Sequence, residues 1–169
     1  MRDLSKKRER ILVIQRFSSK EGLSDLNLTT EAAANKGTYP MDTEGEVVTV
    51  LLVEDTEDNR QMMRRLLEMS GFHVVEALNG REAVEVAAQV KPGIILMDLS
   101  LPFVDGLAAT RQIRMLPELS DVPIVAVSAH DTADFHSLAL DAGCNAYVTK
   151  PVHYPELEDL VNSLLSSHS

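Results

Sequence analysis

Regular hydrophobic patterning begins at residue 47 and continues to the end of the chain. Five short runs are apolar and rich in β-branched residues, which is typical of strands covered on both faces of a sheet. Between them, apolar residues recur at helical spacing. The predicted strands are 47–53, 72–77, 94–97, 122–127 and 146–148, and the predicted helices are 57–70, 81–90, 106–115, 132–142 and 155–165.

Turn and cap residues separate these segments. Gly71 and Gly143 stand where two helices are predicted to end, and the Asn79-Gly80 turn precedes another helix. Pro155 is expected at the N1 position of the last helix. Strands that alternate with helices predict an α/β domain over residues 47–169, with a doubly wound parallel sheet and helices on both faces.

Residues 1–46 show a different composition and no sustained hydrophobic period. Residues 1–16 are net basic, and residues 18–46 are rich in small and polar side chains. We interpret residues 1–46 as a flexible, disordered leader rather than as a lipid- or RNA-binding segment. Met41 offers an alternative translation start, which the intact mass of the native protein would test.

Charge excludes some classes of function. The chain has 169 residues, with 16 Lys and Arg against 26 Asp and Glu, and a formal net charge of −10. The deficit lies in residues 47–169, which hold eight basic and eighteen acidic residues. A nucleic-acid-binding protein needs a basic face, so this class is not expected.

The sequence also predicts a cytoplasmic protein. No apolar run approaches the roughly 20 residues that cross a bilayer, and no signal peptide is recognisable. The single cysteine, Cys144, cannot form an internal disulfide, which suits a reducing compartment. It precedes a predicted strand, so we expect it to be a small buried residue.

Polar residues follow the predicted strands where each strand ends. They are Glu54 and Asp55, Asp98, Ser128 and Lys150. Because the carboxyl ends of parallel strands meet at one edge, we expect these side chains to converge on a pocket. Clustered carboxylates repel each other, and a hard cation such as Mg²⁺ relieves that repulsion. The set suggests phosphoryl transfer to an aspartate, with metal, ammonium and hydroxyl groups neutralising the phosphoryl oxygens.

Five motifs carry a resemblance to a known family. In chain order they are Val53-Glu54-Asp55, Met97-Asp98-Leu99-Ser100-Leu101-Pro102, Asp105-Gly106, Val127-Ser128-Ala129 and Tyr147-Val148-Thr149-Lys150-Pro151. With this order and spacing, residues 47–167 resemble the receiver domain of two-component response regulators, in particular stand-alone receivers like the chemotaxis regulators. The resemblance implies the flavodoxin-like strand order 2-1-3-4-5 for the five predicted strands.

The resemblance also implies roles for individual residues. Asp98 would be the phosphoacceptor, and Lys150 would pair with it and then with the phosphoryl group. Glu54, Asp55, Asp98 and the backbone carbonyl of Ser100 would hold Mg²⁺. The bond between Lys150 and the following proline is expected to be cis. Glu54 stands where many members have Asp, so its metal contact would be longer or pass through water.

Four positions are implicated in switching and in its rate. Ser128, in place of the commoner Thr, would be the switch hydroxyl, and Tyr147 the aromatic side chain whose rotamer reports the switch. Ser100 and His130 would flank the path of the attacking water, and we hypothesise that His130 tunes the phosphoryl lifetime. Asp105-Gly106 is interpreted as a turn and helix start rather than as chemistry.

The implied function is signalling by a single-domain response regulator. A histidine kinase or histidine phosphotransferase would donate the phosphoryl group. This partner would dock in part on the first helix, where Met62 and Met63 belong to an apolar stripe. Because only four residues follow the last predicted helix, no output domain is expected. Output would be contact with a downstream protein through residues 131–167, or onward phosphorelay; nucleic acid and membrane are not expected partners, and the oligomeric state is not indicated.

Three alternatives remain. A degenerate receiver would act as a phosphate-independent adaptor, although the polar set is complete. A haloacid-dehalogenase-like phosphatase would need a second Asp where Ser100 stands. A flavin-binding protein of similar fold would need a phosphate-cradling loop, and visible absorbance would test it.

Overall fold

The structure, a computed structural model, describes residues 12–13, 40, 46–102 and 105–167. Within these residues six strands form one parallel sheet, with helices on both faces. The strands are β1 (Leu12–Val13), β2 (Thr49–Val53), β3 (His73–Ala77), β4 (Ile94–Asp98), β5 (Ile124–Ser128) and β6 (Ala146–Thr149). The helices are α1 (Glu57–Met69), α2 (Gly80–Val90), α3 (Gly106–Arg114), α4 (Ala133–Ala142) and α5 (Tyr154–Ser166), with a 3₁₀ turn at Pro117–Leu119.

The sheet has the strand order β1-β6-β5-β4-β2-β3. The five predicted strands are β2 to β6, so their predicted order, 2-1-3-4-5, is confirmed. The structure adds β1 beside β6, where Leu12 pairs with Ala146 and Val13 pairs with Tyr147. These two residues of the predicted leader therefore lie in the sheet. Most of residues 1–46, including Met41, lies outside the described residues.

Two hydrophobic cores lie on opposite faces of the sheet. Helices α1 and α5 pack on one face through residues such as Leu67 and Leu157. Helices α2, α3 and α4 pack on the other face, where Ile113 and Tyr147 belong to the same core. Every residue of β4 and β5 is buried. The continuous apolar runs are therefore strands sandwiched between helices, as predicted.

Element boundaries differ from the sequence prediction by one or two residues. The strand predicted from residue 122 begins at Ile124, directly after Pro123, which has no amide hydrogen to donate to a sheet. Helix α5 begins at Tyr154, so Pro155 occupies N2 rather than N1. Gly71 and Gly143 have positive φ angles, 88° and 108°, as expected for residues that end helices.

A half-buried arginine connects α3 to the start of β6. The Arg114 guanidinium donates to the carbonyl oxygens of Gly143 and Leu119 at 2.9 and 3.0 Å, and to Asn145 Oδ1 at 2.7 Å. Burial lowers the pKa of Arg114 from its ordinary value. The hydrophobic pattern marks Arg114 only as a polar residue near a helix end, so this contact was not predicted.

None of the helices in the described ranges is long and apolar enough to cross a membrane. Cys144 is a free, buried cysteine, as predicted.

Candidate functional site

The polar residues predicted to converge lie together at the carboxyl edge of the sheet. Asp98 is the last residue of β4 and is 3% exposed, and Glu54 follows β2 and is 6% exposed. The neighbouring β2 and β4 pair in parallel, with Val53 opposite Met97. The two carboxylates are therefore side by side because their strands end at the same level.

Lys150 connects these two carboxylates. Its Nζ donates to Glu54 Oε2 and to Asp98 Oδ2, each at 2.7 Å. The loop after β6 delivers the lysine, and its peptide bond to Pro151 is cis, as predicted. One ammonium group thus compensates two buried negative charges.

Backbone amides orient the same two carboxylates. Ser100 N donates to Asp98 Oδ1 at 2.7 Å, and Thr56 N donates to Glu54 Oε1 at 3.1 Å. Each oxygen of the Asp98 carboxylate therefore has a donor, one from Ser100 and one from Lys150. Below the turn, Arg60 donates to the carbonyl oxygen of Glu54 at 3.1 Å and holds the start of α1 against the end of β2.

The charges at the site shift two pKa values. Burial by itself raises the pKa of Glu54, but Lys150 and the hydrogen bonds from Thr56 and Asn59 outweigh it, so the pKa lies below its ordinary value. Burial by itself lowers the pKa of Lys150, but Asp98 and Glu54 outweigh it, and the pKa is raised. Both shifts favour the charged forms, an ionised Glu54 and a protonated Lys150.

Three carboxylates form a group suited to a metal ion. One oxygen each from Glu54, Asp55 and Asp98 lies within 4.8 Å of the others, with Asp55 exposed and the other two buried. Hard divalent cations such as Mg²⁺ prefer oxygen ligands. The donor set therefore fits Mg²⁺, and its exposed side leaves room for the water molecules that Mg²⁺ retains.

Ser128 ends β5 next to the carboxylates and is fully buried. Its carbonyl oxygen accepts from Lys150 N at 2.7 Å, and its Oγ accepts from His130 N at 3.1 Å. Tyr147 is 3% exposed and donates from its hydroxyl to the His130 carbonyl oxygen at 2.7 Å. The Tyr147 side chain is therefore turned inward, toward the loop that follows Ser128.

Two aromatic contacts at this loop were not predicted. The His130 ring stacks on Phe135 with a centroid separation of 4.2 Å, and the His136 ring lies 4.1 Å from that of Tyr147. Both partners come from the first turn of α4. The sequence pattern identifies Phe135 and His136 only as residues of a helix, so no sequence signal pointed to these contacts.

A cavity of about 410 Å³ adjoins the carboxylates. Glu54, Asp98 and Lys150 line it together with apolar side chains of α1 and of the loop after β6. The apolar part includes Met62, which is 55% exposed. Asn59 also lines the cavity and was not predicted, because a polar residue in a first helical turn is common. The remaining lining residues are Leu52, Val53, Met63, Leu96, Val127, Pro151 and Val152.

Comparison with known proteins agrees with this geometry. The family model of the response regulator receiver domain matches residues 50–162. The polar-differentiation response regulator DivK of Brucella anthropi is 36% identical over 117 residues, which are 69% of this chain and 95% of that protein. DivK of Brucella suis is 35% identical over the same length.

Among solved structures, this chain is also similar to response regulator receivers. The receiver domain of a sensor histidine kinase from Pseudomonas aeruginosa, solved with magnesium in its active-site cleft, is 34% identical with a TM-score of 0.67. The match covers 70% of this chain and 98% of that one. The chemotaxis protein CheY4 of Vibrio cholerae, 24% identical with a TM-score of 0.67 over 69% of this chain and 98% of its own, shares the fold. From its sheet order, its paired carboxylates and these relatives together, the chain belongs to the receiver domain family of response regulators.

Proposed function

We propose that this chain is a single-domain response regulator that accepts a phosphoryl group on Asp98 from a histidine kinase or histidine phosphotransferase. The observation that carries the proposal is the Asp98 carboxylate itself. It is buried at a strand end and held by Lys150 and by the Ser100 amide, each at 2.7 Å. A group held in this way is oriented before the donor arrives.

The proposed step is an in-line transfer. An Asp98 carboxylate oxygen forms a bond to phosphorus while the bond between phosphorus and the donor's imidazole nitrogen breaks, and the donor histidine takes up a proton. Lys150 stabilises negative charge on the phosphoryl oxygens, and the Ser128 hydroxyl donates to one of them. Glu54, Asp55, Asp98 and the Ser100 carbonyl would hold Mg²⁺, which supplies further charge neutralisation when bound.

We propose that phosphorylation moves the Ser128 hydroxyl and, through His130, changes the position of Tyr147. Movement of the Ser128 hydroxyl toward a phosphoryl oxygen would break its contact with His130 N. His130 is in turn the acceptor for Tyr147, so the position of Tyr147 would respond to phosphorylation. A shift of a few kcal/mol in a two-state equilibrium is enough to change which partners bind. The proposed output surface is residues 131–167, toward a downstream protein.

The cavity supports a docking site for the phosphodonor. It joins the carboxylates to Met62 of α1 and to Pro151 and Val152 after β6. A histidine on a partner helix would approach Asp98 along this side, with the apolar residues providing contact area. The single-domain form is supported by DivK, since the aligned region covers 95% of that protein.

Phosphorylation by acetyl phosphate tests the proposal. We expect a Mg²⁺-dependent gain of one phosphoryl group by intact mass in the wild type and no gain in Asp98→Asn. Asp134→Asn, which removes an exposed carboxylate from the first turn of α4, is the control and should be phosphorylated normally. If the wild type gains no mass with acetyl phosphate or with a histidine kinase donor, the chain is instead a phosphate-independent adaptor.

A further inference from the structure

The strand β1 covers one edge of the sheet. Leu12 and Val13 pair in parallel with Ala146 and Tyr147 of β6, the strand that would otherwise end the sheet on this side. An uncovered edge strand presents backbone amide and carbonyl groups that can pair with any extended segment. The edge of β6 is therefore a place where extended chain can add to the sheet, and part of this chain's own N-terminal segment does so.

The distribution of charge also favours the chain's own N-terminal segment as the occupant of the β6 edge. Helices α4 and α5 precede and follow β6 and pack on opposite faces of the sheet. Together they carry five acidic residues and no Lys or Arg: Asp134, Asp141, Glu156, Glu158 and Asp159. Residues 1–16, which contain β1, hold six basic and two acidic residues. The two residues that pair with β6 thus belong to a stretch of basic sequence, while the helices that flank β6 are acidic. Opposite charges would strengthen and orient such a contact.

We propose that the edge of β6, flanked by α4 and α5, is an intramolecular docking site for the chain's own N-terminal segment, which covers part of the output surface. Both strands belong to one chain, so their pairing does not carry the entropy cost of bringing two molecules together. The consequence for output rests on the proposed function, because residues 131–167 are the proposed surface for the downstream protein. A partner that uses this edge must displace β1.

The register places the docked segment beside the proposed switch. Val13 lies opposite Tyr147, whose hydroxyl contacts the loop after Ser128. A change in the position of Tyr147 on phosphorylation would therefore occur in the residue that pairs with β1. Docking and switching are expected to be coupled, and each would change the equilibrium of the other by the same free energy.

Amide exchange in the full-length chain tests the docking directly. The double variant Leu12→Pro, Val13→Pro removes both amide donors of β1. We expect the amides of β6 that face β1 to exchange faster in this variant, as measured by NMR, while amides in the core of β4 are unchanged. Leu28→Pro, Thr29→Pro, a matched change elsewhere in residues 1–46, should leave β6 protected. Equal protection in all three proteins would overturn the proposal.

A peptide measures whether the edge is occupied. A fluorescein-labelled peptide of residues 8–18 is titrated into each full-length protein and followed by anisotropy. If the native segment fills the edge in nine of ten molecules, the peptide should bind the Leu12→Pro, Val13→Pro variant about tenfold more tightly than the wild type. Equal affinities would contradict an occupied edge.

Concentration dependence identifies the source of the strand. Docking within one chain predicts that β6 protection is unchanged on dilution and that light scattering gives a monomer mass. Protection that is lost on dilution would mean that a second copy supplies β1, which would overturn the intramolecular proposal. None of these measurements needs phosphate, so failure of Asp98 to accept a phosphoryl group would leave the docking result interpretable.

Discussion

At the residue scale, the site depends on one lysine between two buried carboxylates. Lys150 donates to Glu54 and Asp98 at 2.7 Å, while amides of the chain hold the remaining oxygens. Removing Lys150 would leave two buried carboxylates without compensation, which is more costly than losing an exposed ion pair. The same contacts that orient Asp98 for the proposed phosphorylation therefore also stabilise the folded chain.

The lowered pKa of Glu54 predicts a dependence of stability on pH. A carboxyl group whose pKa is lower in the folded state stabilises the fold above its unfolded pKa of about 4.3, and loses this contribution as pH falls through its folded pKa. We expect the wild type to be more stable than Glu54→Gln at neutral pH and to lose this advantage on acidification below about pH 4.5. Urea denaturation followed by circular dichroism between neutral and acidic pH measures it.

The control for this measurement is Glu118→Gln, which removes an exposed carboxylate far from the site along the chain. It should follow the wild type across the whole range. A constant difference between wild type and Glu54→Gln at every pH would show that Glu54 stabilises the fold by packing and not by charge.

His130 is predicted to slow loss of the phosphoryl group. Its Nδ1 lies 3.5 Å from Ser128 Oγ, and its ring is held by stacking on Phe135. If the ring obstructs the attacking water, His130→Ala should dephosphorylate severalfold faster than the wild type, as followed by the decay of phosphorylated protein after donor removal. His153→Ala, an exposed histidine, is the control. Unchanged decay in His130→Ala would eliminate this role.

At the element scale, the site is a consequence of where strands end and helices begin. Helix α3 begins at Gly106 after Asp105, whose side chain accepts from Ala108 N at 2.7 Å and caps the helix. This confirms the interpretation of these residues as a turn and helix start. The helix start is also packed tightly against the strand end that carries Asp98.

Gly106→Ala tests this packing. A Cβ at Gly106 would lie 2.2 Å from the carbonyl oxygen of Asp98 and 2.8 Å from the Cα of Leu99, both of which are backbone atoms. We expect a loss of roughly 1–3 kcal/mol in the free energy of unfolding, together with slower phosphorylation because β4 must shift. Urea denaturation and the acetyl phosphate assay measure the two effects.

Gly93→Ala is the matched control for that variant. Its nearest neighbour would be a Val48 side-chain carbon at 2.9 Å, which can move more easily than backbone, and Gly93 lies at the opposite end of β4 from Asp98. Phosphorylation of Gly93→Ala should therefore stay near the wild-type rate. Normal phosphorylation of Gly106→Ala would mean that α3 does not constrain Asp98.

At the scale of the whole molecule, binding at the carboxylates should be linked to global stability. A ligand that binds only the folded state at ten times its Kd adds about 1.4 kcal/mol. For a domain of this size that corresponds to an increase in Tm of roughly 3–6 °C. We expect Mg²⁺ to raise the Tm of the wild type accordingly, as measured by scanning calorimetry.

Asp55→Asn should lose most of the Mg²⁺-dependent increase in Tm, because it removes one of the three clustered carboxylates. Asp58→Asn is the matched control, since it removes an equal, exposed charge three residues further along and should retain the increase. Retention of the full increase by Asp55→Asn would place the bound metal elsewhere.

The sequence by itself determined which segments are strands and which are helices, and their order along the chain. Continuous apolar runs such as the one that becomes β4 are typical of strands covered on both faces, and the polar residue that follows each run identifies the carboxyl edge. Local pattern therefore predicted that Asp98, Glu54 and Lys150 would converge. The pattern could not predict the order of the strands within the sheet, which the family resemblance supplied.

Only the tertiary structure decided which groups touch. Three such contacts are the bond of Lys150 to Glu54, that of Tyr147 to His130 and that of Arg114 to Asn145, and each joins residues far apart in the chain. Hydrophobic periodicity reports burial along one element and carries no information on partners across elements. The pairing of Leu12 and Val13 with β6 is of the same kind, because a two-residue strand has too short a pattern to be recognised and depends on an open edge elsewhere in the fold.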